Sequence, residues 1–178
     1  MDEQGSLKWP DDIDTFWETD PEARGFAEML GELSAETERG IALVTAAFID
    51  DLLGRLLAAF LIKNEGTEML LIGFNAPLGT LASKIAACHA LGLIDDQERR
   101  ECVILRKIRN EFAHKVKASF LDVKIKDLCS QLPIAEHLKE GSITALNQFK
   151  RASISLIARL MNRPDAVRQK SLRYGDWE

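Results

Sequence analysis

The sequence contains little cysteine, and none of it forms a C-x-x-C pair. The three cysteines, at positions far apart along the chain, are Cys88, Cys102 and Cys129. A zinc site or a disulfide framework needs cysteines at short, paired spacings, so neither is predicted. Isolated thiols are typical of a reducing cytosol, and we therefore expect a cytoplasmic protein.

A membrane-spanning run and a secretory signal are also missing. The apolar stretch at residues 41–62 is broken by Asp50, Asp51 and Arg55, which would be costly inside a bilayer. The chain begins Met1-Asp2-Glu3-Gln4, without the basic residues and apolar segment of a signal peptide. No contact with a membrane is predicted.

Motifs for common cofactors are absent as well. The sequence has no glycine-rich dinucleotide or P-loop motif, no H-E-x-x-H, no EF-hand loop and no G-x-S-x-G. Its three histidines, His89, His114 and His137, are dispersed and lack the carboxylate pattern of a metal site. We expect no metal and no cofactor.

Acidic side chains are in excess, but they are unevenly distributed. The 178 residues carry 28 acidic and 23 basic side chains, a formal net charge of −5. Phosphate affinity depends mainly on Lys and Arg, so this balance excludes a uniformly basic nucleic-acid binder. Residues 1–100 hold 19 acidic and 8 basic side chains (−11), whereas residues 101–178 hold 9 and 15 (+6). The difference fits either ordinary solvated helix faces or a basic surface built by the later helices.

The apolar pattern predicts an all-α fold. A hydrophobic fraction of 46% in a chain of this length fits one domain with a substantial core. Apolar residues recur at spacings of three and four, and no segment alternates as a strand does. The expected architecture is a single-domain antiparallel helical bundle with long core helices. The predicted helices are 12–18, 21–33, 34–64, 78–91, 96–115, 122–131 and 142–162, with a loop near 70–81.

Three regions are expected along the chain. Residues 1–33 form an acidic lead-in with short helices, residues 34–162 form the bundle, and residues 163–178 form a polar tail. Ser34 and Ser142 are the predicted caps of the first and last long helices, and Asn64-Glu65-Gly66 is the predicted end of the first. Asp95, with Glu98 three residues later, predicts the start of the helix at 96–115. The apolar stripe of that helix is Cys102, Leu105, Ile108 and Phe112.

A polar cluster lies on this predicted helix. Arg106, Asn110 and His114 are spaced i, i+4 and i+8, so they share one helix face. Arg109 lies about 100° around the helix from Asn110. A guanidinium can hold a phosphate, and an imidazole can transfer a proton near neutral pH. The cluster is therefore a candidate binding or catalytic site.

A structural interpretation of the same cluster is equally open. In it, Asn110 and His114 hydrogen-bond the backbone beside the turn at 74–80, and Arg109 pairs with an acidic side chain. The possible acidic partners are Asp50, Asp51 and Glu111. Asp51 is also a candidate binding residue, although its spacing to Arg55 fits a surface ion pair.

Three segments together resemble the bacterial mannitol operon repressor family. They are residues 49–53 (Ile-Asp-Asp-Leu-Leu), residues 75–85 (Asn-Ala-Pro-Leu-Gly-Thr-Leu-Ala-Ser-Lys-Ile) with the following Ala90-Leu91-Gly92-Leu93-Ile94, and residues 108–114 (Ile-Arg-Asn-Glu-Phe-Ala-His). The resemblance covers roughly residues 25–160. It implies an all-helical regulator of transcription without a helix-turn-helix, acting through a protein partner.

The string Arg109-Asn110-x-x-x-His114 is also similar to the R-x4-H signature of the HEPN superfamily. That resemblance implies a metal-independent ribonuclease, in which His114 activates the ribose 2′-hydroxyl, Arg109 stabilises phosphate charge and Asn110 orients the pair. Sites of this kind are commonly completed across a dimer, and the substrate would be RNA.

The leading hypothesis is a non-enzymatic regulator that binds a partner protein. Its candidate binding residues are Arg106, Arg109, Asn110, His114 and Asp51. A homodimer is expected from the apolar helices and from the aromatic residues Trp9, Phe16 and Trp17. DNA binding is an open alternative through a local basic patch, comprising Arg99, Arg100, Arg106, Lys107, Lys115, Lys117, Lys124 and Lys126.

Overall fold

The computed structural model describes residues 36–132 and 144–175. Every regular element in these ranges is a helix: α1 (Glu38–Phe60), α2 (Glu65–Leu71), α3 (Leu81–Ala90), α4 (Asp96–His114), α5 (Val123–Ser130), α6 (Ala145–Met161) and α7 (Arg163–Arg168). The predicted all-α helical bundle is confirmed. The described residues from Thr37 onward group into one compact unit. The helices predicted at 12–18 and 21–33, the three lead-in aromatics and both predicted serine caps lie outside the described residues.

Helix α1 is the central element of the bundle. It packs against α3, α4, α6 and α7. Its buried positions recur at spacings of three and four, which places them along one broad face of the helix. They are Ile41, Ala42, Thr45, Ala46, Ile49, Leu52, Leu53, Leu56 and Leu57.

Helix α4 matches its prediction closely. The Asp95 carboxylate accepts from the Glu98 N–H at 2.8 Å, and the Glu98 carboxylate accepts from the Asp95 N–H at 3.1 Å. This reciprocal cap satisfies two N–H groups at the helix start. The predicted stripe, Cys102, Leu105, Ile108 and Phe112, is buried. Phe112 contacts Phe120 with ring centroids 4.9 Å apart, and Phe120 contacts Phe149 at 5.2 Å.

The first long helix is shorter than predicted. Thr37, whose hydroxyl accepts from the Gly40 N–H at 3.1 Å, caps its start. At the other end Leu61 is already extended. The predicted stop at Asn64 is wrong because the Asn64 side chain accepts from the Thr67 N–H at 2.9 Å. Asn64 thus starts α2, and Gly66 lies inside that helix.

Helices α2 and α7 are absent from the prediction for physical reasons. No residue of α2 is buried, so its sequence has no apolar period to recognise. Pro164 predicts the end of a helix, but it stands in the first turn of α7, where a proline costs no hydrogen bond. Helix α7 packs against α1 and α6, so part of the predicted polar tail belongs to the packed body.

Long side chains fix the two ends of α4. At its start, Arg163 of α7 donates to the Glu98 carboxylate at 2.5 and 2.7 Å. One turn later Arg159 of α6 pairs with Glu101. At its end, Arg39 of α1 donates to the carbonyls of Lys115 and Val116 at 2.5 and 2.8 Å. These contacts hold α4 against α7, α6 and α1, and the groove described next lies beside α1 and α4.

Candidate functional site

A groove of about 670 Å³ lies beside α1, the start of α3 and the second half of α4. Its walls are formed by the three helices whose mutual packing surrounds it. Helix α1 contributes Leu43, Ala46, Ala47 and Asp50; the start of α3 contributes residues 79–82; and α4 contributes Arg106, Arg109 and Asn110. The three sequence segments that resemble the mannitol operon repressor family therefore all reach this groove.

A tight turn places the start of α3 in the groove. The Gly79 N–H donates to the Ala76 carbonyl at 2.9 Å, and a Cβ at Gly79 would lie only 3.0 Å from that oxygen. Thr80 then caps α3: its hydroxyl accepts from the Ser83 N–H at 3.1 Å, and the Ser83 hydroxyl accepts from the Thr80 N–H at 3.2 Å. The N–H groups of the first helical turn have no partner inside their own helix, so this end of α3 presents donors.

Two guanidiniums of α4 line the groove. Arg109 is exposed and donates to the Asn110 side-chain oxygen at 3.1 Å. Arg106 is half-buried, and its Nε is buried without a hydrogen-bond partner. In residues 36–132 and 144–175 neither guanidinium pairs with a carboxylate.

The carboxylate in the groove is already neutralised by another cation. Asp50 pairs with Lys84 of α3 at 2.8 Å, and the same ammonium donates to the Asp50 carbonyl at 3.3 Å. The second carboxylate oxygen of Asp50 is buried without a partner. Because Lys84 balances Asp50, the two arginines give the groove an uncompensated positive charge.

The structure brings together three of the five predicted binding residues: Arg106, Arg109 and Asn110. His114, the last residue of α4, is exposed and does not line the groove. Asp51 is exposed and also lies outside the groove lining.

The structural interpretation gave Arg109 a carboxylate partner, whereas the partner that the described residues give it is the Asn110 side chain. Asp50 pairs with Lys84, and Glu111 pairs with Lys115 at 2.7 Å and with Lys124 at 2.5 Å. Hydrogen bonds from these two lysines hold the pKa of Glu111 below its ordinary value. The predicted basic patch is therefore not one surface of unpaired cations: Lys115 and Lys124 pair with Glu111, and Arg106 lines the groove.

An exposed apolar surface lies on α2 and the loop after it, where the sequence pattern predicted only an apolar loop. We call it the α2 patch; its members are Met69, Leu70, Ile72 and Phe74, and all four are exposed. Gly73, with φ of 119°, turns the chain between the last two, and the Leu78 N–H donates to the Leu70 carbonyl at 2.8 Å. The missed signal is a run of apolar residues from 69 to 74 that contains no charge. Phe74 is fully exposed, which is unusual for a phenylalanine that serves only to stabilise the fold.

The remaining reactive groups are buried or dispersed. Burial raises the pKa of Cys88, Cys102 and Cys129 to about 12, so the thiols stay protonated and unreactive at neutral pH. Within the described ranges, no three His, Cys, Asp or Glu side chains are grouped as metal ligands. In those ranges no helix has the length and apolarity needed to span a bilayer.

Comparison with known proteins identifies the fold. No protein-family model matches the chain, and no curated protein matches it by sequence. The chain is similar in structure to a chain of the X-ray structure of the MtlR-HPr complex from Escherichia coli. The TM-score is 0.58 at 19% sequence identity, and the match covers 80% of this chain and 98% of that chain. The protein therefore has an MtlR-like fold.

Proposed function

We propose that this protein is a regulator of the MtlR type that acts by binding a partner protein and catalyses no reaction. The observation that carries the proposal is the shared fold, which extends over nearly the whole of a chain solved in complex with HPr. MtlR is a mannitol operon regulator. The resemblance of the three groove segments to the mannitol operon repressor family supports the same assignment.

The α2 patch is the surface that best suits a protein partner. Protein interfaces concentrate their binding energy in a few large apolar or aromatic side chains that become fully buried. Phe74 is a fully exposed aromatic residue, and the three residues that complete the patch, which precede it in the sequence, are also exposed. The patch is followed along the chain by the turn that leads into α3.

Protein binding fits the charge better than DNA binding does. The chain is acidic overall, and Glu111 pairs with two lysines of the basic patch and offsets one of their two charges. A DNA complex would depend on the remaining cations, and its affinity would fall steeply with salt. DNA binding would be favoured instead if a mobility-shift assay gave an affinity for DNA that falls with salt and is similar to the affinity for the partner protein.

The experiment is a calorimetric titration of the full chain with purified HPr. We expect saturable binding, and Phe74→Ser should weaken it more than about tenfold because a central anchor is lost. Leu121→Ser is the matched control, since Leu121 is an exposed apolar residue outside the patch. Absence of binding by the wild type, or equal weakening by both variants, would contradict the proposal.

A ribonuclease is the second candidate, and the geometry of α4 gives it one supporting observation. Arg109 and His114 are both exposed, and Asn110 is hydrogen-bonded to Arg109, so both proposed catalytic groups are accessible to an RNA strand. Purified wild type and His114→Ala are incubated with RNA in chelator. Cleavage by the wild type that the variant lacks would establish the enzyme; equal cleavage or none removes it.

A further inference from the structure

The groove holds more positive charge than the protein itself balances. Arg106 and Arg109 both line it without a carboxylate partner in the described residues, while Lys84 neutralises Asp50. A buried guanidinium N–H without an acceptor is costly, and Arg106 Nε is one. The imbalance favours an anionic ligand carrying several acceptor oxygens.

The start of α3 adds donors to the same groove. Leu81 and Ala82, in the first turn of a ten-residue helix, line the groove together with the two arginines. Their N–H groups have no partner inside the helix, and the helix dipole is positive at this end. Guanidiniums and a helix start that line one groove are the combination that holds phosphate groups.

Charge and size select among the possible anions. A phosphate monoester carries close to two negative charges at neutral pH, which matches the two guanidiniums. A carboxylate or an RNA phosphodiester carries one charge and would leave one guanidinium unbalanced. The volume of about 670 Å³ suits one small molecule, and Leu43, Ala46 and Ala47 give it an apolar wall.

We propose that this groove binds a small phosphate monoester, with Arg106 and Arg109 holding the phosphate against the start of α3 and α1 contacting the body of the molecule. The role of that ligand as an effector rests on the proposed regulatory function; the binding site itself does not. Asn110 is held by Arg109 and keeps its amide N–H₂ available for a further ligand oxygen.

The test is a calorimetric titration of the full chain at pH 7.5 and constant ionic strength with three probes: phenyl phosphate, inorganic phosphate and benzoate. Phenyl phosphate should bind saturably and at least about tenfold more tightly than benzoate, because benzoate has one charge. Inorganic phosphate should bind more weakly than phenyl phosphate, because it lacks a body to contact the apolar wall.

Two arginine variants locate the binding. Arg109→Gln changes an exposed groove residue and should weaken phenyl phosphate binding about tenfold or more. Arg100→Gln, an exposed arginine of the same helix outside the groove lining, should change it less than about twofold. Arg106→Gln should also weaken binding, with circular dichroism verifying its fold.

Several results would overturn the inference. The first is the absence of saturable phenyl phosphate binding, and the second is an affinity for benzoate equal to that for phenyl phosphate. The third is that Arg100→Gln weakens phenyl phosphate binding as much as Arg109→Gln does. The fourth is that an RNA decamer displaces phenyl phosphate at an RNA concentration below that of the phenyl phosphate. The HPr titration is independent. A wild type that binds HPr but not phenyl phosphate overturns this inference alone, whereas the reverse result overturns the proposed function and leaves the phosphate site intact.

Discussion

Replacing Arg163 with alanine tests how the C-terminal helix is attached to the bundle. The Arg163 guanidinium donates two hydrogen bonds to the Glu98 carboxylate and a third, at 3.1 Å, to the Leu93 carbonyl. Glu98 is 2% exposed. The hydrogen bonds to Glu98 raise the pKa of Arg163, so the guanidinium stays charged. Removing the arginine leaves a buried carboxylate without its cation.

The size of the effect follows from burial. Breaking a buried pair by deleting one partner costs about 3–5 kcal/mol of unfolding free energy. The Arg163 side chain is itself 28% exposed, so water can partly replace it and we expect the lower end, about 3 kcal/mol. For a chain of this size that corresponds to a fall in Tm of about 6–12 °C.

The assay is urea unfolding followed by circular dichroism, with calorimetry for Tm. Arg168→Ala is the matched control: Arg168 lies on the same helix and pairs with Asp165 at 2.7 Å, but both side chains are about two-thirds exposed. That change should cost less than about 0.5 kcal/mol. A loss below about 1 kcal/mol for Arg163→Ala, or equal losses for the two variants, would refute the reasoning.

Three further predictions concern Asn110, Glu111 and the buried thiols. Asn110→Ala should lower the free energy of unfolding, measured in urea, by less than about 1 kcal/mol, because in the described residues the half-buried amide hydrogen-bonds only the exposed Arg109. A loss above about 2 kcal/mol would show that the amide supports buried backbone groups instead. Glu111 has a lowered pKa, so its stabilisation is complete above its unfolded value near 4.5 and disappears as the pH falls through the folded value. The stability difference between wild type and Glu111→Gln should therefore be constant above about pH 5.5 and shrink below about pH 4.5; a difference that is flat through this range would contradict it. The native thiols should react with a disulfide reagent at pH 8 far more slowly than in urea, and equal rates would contradict their burial; the residues are Cys88, Cys102 and Cys129.

The predictable part of the fold is the part with local signals. Helix α4 has both a reciprocal cap and an apolar period within one segment, and its bounds were predicted to within one residue. Helix α2 has no buried face and so no apolar period, and α7 has a proline in its first turn, which in the sequence resembles the end of a helix. Long-range ion pairs have no local signature: Arg163 and Glu98 are 65 residues apart.

The candidate site was predictable only along one helix. Helical spacing correctly placed Arg106 and Asn110 on a common face. The same spacing suggested His114, but His114 lies about 6 Å further along the axis of α4 than Asn110, and the groove does not extend that far. The part of the groove formed by α3 and the Lys84–Asp50 pair depend on how three helices pack, and no single segment of the sequence contains that information.

Hydrogen exchange of the full chain with and without HPr tests the central claim most directly, because it reports both binding and its location. A partner-binding regulator of the MtlR type should show protection on addition of HPr that is concentrated in residues 65–80, and Phe74→Ser should require more than about tenfold more HPr to reach the same protection. Unchanged exchange at saturating HPr, or protection confined to described residues outside α2 and its following loop, would contradict the account.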